Sequence, residues 1–379
     1  MMLMVADILL FCCLAWPFVA GAIVAIHAAA TGKGETEGGQ NASQLAANLS
    51  LVSVGLTGLN VPLAVTLGVM AGGGVELGWM VEMPLAAVGC LLLHAGLVSQ
   101  CFAPPRPEED RALVARDAVP FWTTGLLSLA MMLEEPIARA VMLITAPVVA
   151  VILLDTGAGR AIAGWNTVRR TATGALLALT GFLHPNFAVE GILAGLGVCL
   201  LAGLFPATLL PRGATLSRAG DALELLRSSS ATIAVAGLLA TFPLPEATAS
   251  AFRGSLFAAG LITLALASVS LRLGRMNRVE AVARAGLGFA ALAAGVTHPL
   301  IADLALLGLL LAMPWLVETP ASRKARAIAR WLLVFPGFCA LLLALTMMAA
   351  SSGLLAVAVI LAVLPALRPA SRLLPAEVK

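Results

Sequence analysis

Long apolar segments, separated by short breaks of charged residues, proline and glycine, fill almost the whole chain. A helix needs about 20 apolar residues to cross the hydrocarbon core of a bilayer. The pattern therefore predicts an all-α, polytopic integral membrane protein with about thirteen transmembrane helices. The predicted helices cover roughly residues 3–28, 46–72, 78–101, 118–133, 137–154, 171–188, 190–210, 229–244, 255–271, 281–297, 299–317, 331–349 and 352–367.

The connections between these segments are mostly brief, which predicts one compact membrane domain over residues 1–379. Two longer polar connections stand out, at Thr31–Gln44 and Pro104–Asp117. The apolar stretch at the N-terminus lacks the positively charged region that begins a cleaved signal peptide. We therefore interpret it as the first membrane helix.

Basic residues test this helix order, because Lys and Arg accumulate on the cytoplasmic side of a membrane. If the segments alternate in direction, only Arg139 and Arg253 of the 23 basic residues fall on one side of the membrane. The other 21 fall on the opposite side. This asymmetry predicts an outside N-terminus and a cytoplasmic C-terminus, in a bacterial-type inner (plasma) membrane.

Composition excludes the other protein classes. The chain is 60% hydrophobic and only 11% charged, whereas a soluble domain carries about 25% charged residues. The net charge of +3 is too small to indicate nucleic acid as a partner, and membrane lipids are expected instead. The six cysteines show no C-x-x-C spacing, so we expect small buried side chains rather than disulfides or a metal site. They are Cys12, Cys13, Cys90, Cys101, Cys199 and Cys339.

Ionisable residues inside a membrane are costly, and they are therefore the first candidates for function. The candidate proton path consists of Glu82, His94, His184, Glu190, His298 and Asp303. Two similar segments lie at outward-facing junctions, since His184-Pro185 precedes Glu190 and His298-Pro299 precedes Asp303. They could form a proton entry or exit. The alternative is a His-Pro turn that ends a helix in the headgroup region.

Two charged clusters have both a functional and a structural interpretation. A cytoplasmic basic face could meet anionic lipid or an acidic partner subunit, although positive-inside anchoring explains it equally well. It contains Arg272, Arg275, Arg278 and Arg284. On the outer side, Glu134-Glu135-Pro136 and Arg139 could bind a cation or a partner protein, or could form a solvated loop. No catalytic motif is present in the sequence, and we predict no catalytic residue, cofactor or metal.

Two local patterns point to a family. Gly197, Gly203 and Pro206 keep the spacing of a G-x-x-x-K-x-G-x-x-P segment, in which Leu201 takes the lysine position. A polar connection from Ser270 to Ala281 follows the ninth helix and retains Arg278. In these patterns and in segment order, residues 118–295 resemble the antiporter-like membrane subunits of respiratory complex I, of group 4 hydrogenases and of multisubunit cation/proton antiporters.

The resemblance implies a subunit held among other polytopic subunits of an ion-translocating or redox complex. The departures concern the family's buried charges. Leu201 replaces a lysine, Ile144-Thr145-Ala146-Pro147 lacks the glutamate of the fifth helix, and Thr232–Leu239 lacks the lysine of the eighth. A chain of buried charges allows such subunits to move protons, because each charge alters the pKa of its neighbours. We therefore expect a structural or weakly conducting member.

Two other functions remain open from the sequence. A stand-alone secondary transporter of a small, weakly polar solute would need few charges and would use helices broken by residues such as Pro147 and Pro336. A membrane enzyme with bound haem or quinone is less favoured, because the four histidines fall in four different segments.

Overall fold

The computed structural model describes residues 2–31, 35–70, 90–91, 93–98, 101, 118–133, 138, 141–146, 148–149, 161–207, 232–233, 236, 245–272, 278–296 and 306. The principal elements of this part of the chain are α-helices. They are α1 (Met2–Thr31), α2 (Glu35–Met70), α3 (Val119–Met132), α4 (Ala161–Phe182), α5 (Phe187–Leu201), α6 (Glu246–Arg272) and α7 (Arg278–Val296). The all-helical prediction is confirmed for these residues.

Several helices extend beyond the apolar segments that predicted them. Helix α2 begins at Glu35, inside the connection that the sequence analysis treated as a linker, and α4 begins at Ala161 rather than near residue 171. Helix α6 begins at Glu246 rather than near residue 255. Apolar residues mark the part of a helix that lies in lipid, but helical hydrogen bonding continues through polar residues such as Glu and Gln. The predictions therefore located these helices but placed their N-terminal ends too late.

Helix α5 shows the opposite difference, because it stops at Leu201 instead of continuing to residue 210. Gly203 adopts a φ of 70°, which suits glycine and ends the helix in a left-handed turn. The Leu204 N–H donates to the Cys199 carbonyl at 2.9 Å. The Phe205 N–H donates to Thr263 Oγ1 of α6 at 2.8 Å. A side chain of the neighbouring helix therefore accepts from a backbone N–H group that lies beyond the end of α5.

Three of the described helices are long and apolar enough to cross a membrane, over Met4–Ala30, Gln44–Ala64 and Glu246–Ala267. Val119–Met132 and Phe187–Leu201 are apolar but shorter. Apart from Leu306, the last three predicted helices lie outside the described residues. The total of about thirteen helices and the sides of the two termini stay predictions.

In the N-terminal part, α1 packs antiparallel to α2 and to α3. A Cβ atom at Gly21 would lie 2.5 Å from Nε1 of Trp122, and one at Gly125 would lie 2.7 Å from the ring of Phe18. Towards α2, the Cys13 thiol faces the Leu56 carbonyl at 3.8 Å. Ala6 at the start of α1 shares a core cluster with Ala64 near the end of α2, and Ala20 shares another with Ala46 nearer the start of α2. Helix α1 therefore runs in the opposite direction to α2 and α3. This is the arrangement expected when a chain crosses a membrane repeatedly.

In the C-terminal part, α4 and α5 are antiparallel, as are α6 and α7, but α5 and α6 are parallel. Gly191 near the start of α5 lies against Thr248 near the start of α6, and Phe205 just beyond α5 bonds to Thr263 late in α6. Two parallel helices require an odd number of crossings between them. The single helix predicted at 229–244 meets this requirement, although only three of its residues are described.

Candidate functional site

The turn between α4 and α5 contains the first predicted His-Pro segment. Asn186 caps α5, because its Oδ1 accepts from the N–H groups of Ala188 at 3.1 Å and Val189 at 3.3 Å. His184 Nδ1 in turn accepts from the Asn186 N–H at 3.1 Å. An Asn at this position satisfies N–H groups that have no partner within the helix. The imidazole therefore contributes to the turn through one of its two nitrogens.

Glu190 lies in the first turn of α5 and is 9% exposed. Its Oε2 accepts a hydrogen bond of 2.9 Å from the hydroxyl of Thr248, which is fully buried at the start of α6. The structure thus connects Glu190 to a neighbouring helix. No hydrogen bond or ion pair connects it to His184 in the described part of the chain. Sequence reasoning missed Thr248, because a lone threonine two residues after Glu246 carries no pattern that indicates a partner.

We expect Thr248→Val to destabilise the chain by about 1–3 kcal/mol, because the swap keeps the side-chain shape but leaves the buried Glu190 carboxyl without its donor. Thermal or denaturant unfolding in detergent measures this change. Thr66→Val is the matched control, since Thr66 is exposed and, within the described part of the chain, its hydroxyl bonds to the Pro62 carbonyl of its own helix. A double-mutant cycle with Glu190→Met, which removes the acceptor, that shows no coupling would contradict the assignment.

At the opposite end of α5, an apolar side chain in an apolar environment occupies the position at which the resembled family has a lysine. Leu201 is 5% exposed and belongs to the main hydrophobic core. A Cβ atom at Gly174 of α4 would lie 3.1 Å from Leu201 Cγ. The side chain therefore packs between helices.

Two arginines lie near this end of the helices. Arg284 of α7 is 6% exposed, so it is buried in the helix packing rather than displayed on the predicted basic face. Arg170 of α4 interacts electrostatically with it, and the Nε atom of Arg170 is buried without a hydrogen-bond partner among the described residues. Arg272 ends α6 and Arg278 begins α7.

A third group of polar side chains lies in the N-terminal part. His94 is 1% exposed, and its Nδ1 is hydrogen-bonded to Ser53 Oγ of α2 at 2.7 Å. Ser50, Ser53 and Thr57 are fully buried on one face of α2. Their spacing of three and four residues is the helical signal that could have located this face from sequence. The rarity of buried ionisable residues indicated His94 from sequence, but not its partner Ser53.

The remaining candidate residues lie outside the part of the chain that the structure describes. They are Glu82, His298, Asp303, Arg275, the cluster at 134–136 with Arg139, and Cys339. Of the described cysteines, Cys13, Cys90 and Cys199 are buried as predicted, whereas Cys12 is exposed on α1. Within the described ranges, no group of three or more His, Cys, Asp or Glu side chains could hold a metal ion.

Comparison with known proteins finds similar structures but no matching sequence. No protein-family model matches the sequence, and no curated protein matches it either. A chain of the membrane-bound sulfane sulfur reductase, an archaeal respiratory membrane complex, superposes with a TM-score of 0.65 at 14% identity. That match covers 94% of this chain and 85% of the other. A chain of respiratory complex I from Thermus thermophilus gives a TM-score of 0.61 at 16% identity, over 94% and 86% of the two chains.

Both neighbours come from respiratory complexes that contain antiporter-like membrane subunits. The predicted resemblance to such subunits is therefore confirmed as a similarity of fold. Together with the apolar helices, it supports a multi-pass membrane protein. At these identities the similarity concerns the fold alone: this chain has the fold of membrane chains found in two respiratory complexes.

Proposed function

We propose that this chain is an antiporter-like membrane subunit of a multi-subunit ion-translocating or redox complex, and that its role there is structural or weakly conducting. The observation that carries the first part is the similarity of fold to chains of two respiratory complexes over 94% of this chain. A likeness over nearly the full length is expected of a subunit with the same place in an assembly, and less expected of a local motif shared by chance.

The second part of the proposal rests on side chains. Leu201 stands where the resembled family has a lysine, and it packs in the core. Ile144 and Ala146 occupy the stretch that would carry the glutamate, and both are buried apolar residues. In the eighth segment, Thr232, Ile233 and Ala236 are buried and uncharged. A path that lacks ionisable side chains at these positions cannot pass protons as the resembled subunits do.

The same proposal includes an outside N-terminus, a cytoplasmic C-terminus and a bacterial-type inner membrane. The parallel arrangement of α5 and α6 supports the alternation of crossings from which these orientations were predicted. The partners of the chain would be other polytopic subunits and membrane lipids.

Purification from membranes in a mild detergent, through a tag on the C-terminus, tests membership of a complex. We expect other polytopic subunits and a redox or carrier protein to copurify in fixed ratio, because apolar helix faces need partner helices. An unrelated membrane protein with the same tag controls for nonspecific capture. A monodisperse chain that purifies alone would contradict the proposal, and solute uptake by that chain in liposomes would identify a stand-alone transporter.

A further inference from the structure

Two arginines from different helices bring like charges together inside the protein. Arg284 of α7 is 6% exposed, and the Nε atom of Arg170 on α4 is buried without a hydrogen-bond partner among the described residues. The two guanidinium groups are close enough for the charge of Arg284 to act on Arg170. Repulsion between like charges grows when both are removed from water, so a buried pair of this kind needs a compensating anion.

Helix packing places Arg170 beside the end of α5. A Cβ atom at Gly174 of α4 would lie 3.1 Å from Cγ of Leu201, the last residue of α5. Arg170 lies one turn before Gly174 on the same side of α4. Because α4 and α5 are antiparallel, Arg170 is about 6 Å beyond the level of Leu201, alongside the residues that follow α5.

Contacts of α6 and α7 place Arg284 at the same end. Thr263 of α6 accepts from the N–H of Phe205, which lies just beyond α5, and a Cβ atom at Gly288 of α7 would lie 3.3 Å from Thr263 Cβ. Arg284 is one turn before Gly288 on the same side of α7. Arg284 and Arg170 are therefore within about one helical turn of each other in height.

Arg170 borders an exposed face of α4. Five exposed residues repeat at helical spacing along this face, and they are Arg169, Thr173, Leu176, Thr180 and Leu183. Leu176 is 66% exposed and Leu183 is 70% exposed, as expected of side chains that meet lipid acyl chains. Arg170 itself is partly exposed. The buried charges can therefore be reached from the lipid side of α4.

The depth of the pair in the membrane suits a lipid phosphate. The apolar segments predicted from the sequence begin at residues 171 and 281, so Arg170 and Arg284 fall at the boundary between hydrocarbon and headgroups. Guanidinium groups match the geometry of phosphate oxygens, and basic pockets between membrane helices bind anionic headgroups.

Carboxylates of α4 to α7 do not supply the missing anion in the part of the chain that the structure describes. The carboxylate side chains described there are Glu190 and Glu246, which begin α5 and α6 at the opposite end. Arg284 has a further polar or electrostatic contact of its own, so the group that lacks a partner is Arg170 Nε. A single carboxylate, such as Glu280 four residues earlier in the sequence, would neutralise only one of the two charges.

We propose that Arg170 and Arg284 bind the phosphate of an anionic lipid headgroup, which reaches them along the exposed face of α4 and lies beside the end of α5. The lipid offsets the repulsion between the two buried charges and ties α4 to α7 at this end. The inference requires that the chain lies in a membrane, but it does not depend on membership of a complex, since both arginines belong to this chain.

Lipid titration of the full chain in mild detergent, followed by native mass spectrometry, tests the proposal. The probes are phosphatidylglycerol and phosphatidylcholine with identical acyl chains. We expect phosphatidylglycerol to bind at least about tenfold more tightly, and Arg170→Gln and Arg284→Gln each to remove about tenfold of its affinity, because hydrogen bonds to charged groups are strong. Arg169→Gln is the matched control, with an expected loss of about twofold, since Arg169 is exposed. Equal losses from all three variants would overturn the proposal and indicate diffuse attraction to the basic surface.

Thermal unfolding in lipid nanodiscs provides a second measurement that does not depend on lipid counting. We expect phosphatidylglycerol nanodiscs to stabilise the wild-type chain relative to phosphatidylcholine nanodiscs, and Arg170→Gln to abolish this difference. In phosphatidylcholine the variant should be at least as stable as the wild type, because it removes one of two like buried charges. A variant that is destabilised equally in both lipids would show that Arg170 acts in packing alone and would overturn the proposal.

Two other anions give different results. Equal stabilisation of the wild type by inorganic phosphate in phosphatidylcholine nanodiscs would show that free phosphate, rather than a lipid, fills the site. If a carboxylate of a partner subunit fills it, Arg170→Gln would release that subunit on purification and leave the preference for phosphatidylglycerol unchanged. Either result would overturn the lipid assignment. Purification of the chain without partners would contradict the proposed function, but it would leave the lipid titration fully informative.

Discussion

Leu201→Lys is expected to destabilise the chain by about 3–5 kcal/mol, because it buries a charge without a partner. Leu201 is 5% exposed and packs against Gly174 within the main core. The nearest carboxylate described on the same helix is Glu190, eleven residues away at the other end of α5. Thermal unfolding in detergent measures the effect, with the loss of monodisperse protein on heating as the readout.

Leu201→Met is the matched control, since a volume-conserving apolar swap usually costs less than about 1.5 kcal/mol. The comparison separates the added charge from the changed shape. The result also bears on function, because a buried lysine at position 201 is tolerated only if acidic side chains lie close enough to pair with it. If Leu201→Lys were as stable as Leu201→Met, the assignment of position 201 to an apolar core without acidic partners would be wrong.

Gly260→Leu is expected to separate α6 from α7 and to cost about 3 kcal/mol or more, at the upper end of overpacking effects. A Cβ atom at Gly260 would lie 2.6 Å from the Gly288 carbonyl oxygen and 2.6 Å from the Leu292 nitrogen. Both are backbone atoms of α7, so no side-chain rotation relieves the contact. The helices would have to move apart and would lose packing along their length.

Gly254→Leu provides the control on the same helix. A Cβ atom at Gly254 would meet nothing within 4 Å. Glycine in a helix is less favourable than alanine by roughly 1 kcal/mol, and leucine is also a good helix former. We therefore expect this variant to be neutral or slightly stabilising in the same unfolding assay. Equal losses from both substitutions would mean that helix content, rather than close approach of the two helices, sets the effect.

Sequence pattern located the described helices well but judged their ends poorly. Helices α3 and α7 lie within a few residues of their predicted positions at 118–133 and 281–297. Helix α5 ended early because Gly203 adopts a left-handed turn that Thr263 of another helix supports. A contact between residues 58 positions apart leaves no trace in local periodicity, and neither does the bond from Thr248 to Glu190.

The sequence by itself determined that the protein lies in a membrane, that it is helical, and that it has no charged residue at positions where the resembled family has buried charges. These points follow from composition and from the residue at each position. Leu201 is apolar whatever surrounds it. The tertiary structure alone decided which polar groups meet. It pairs His94 with Ser53, pairs Glu190 with Thr248 rather than with His184, and buries Arg284 within the helix packing. Those outcomes depend on which helix faces come together, and helix packing is a property of the whole chain rather than of any segment.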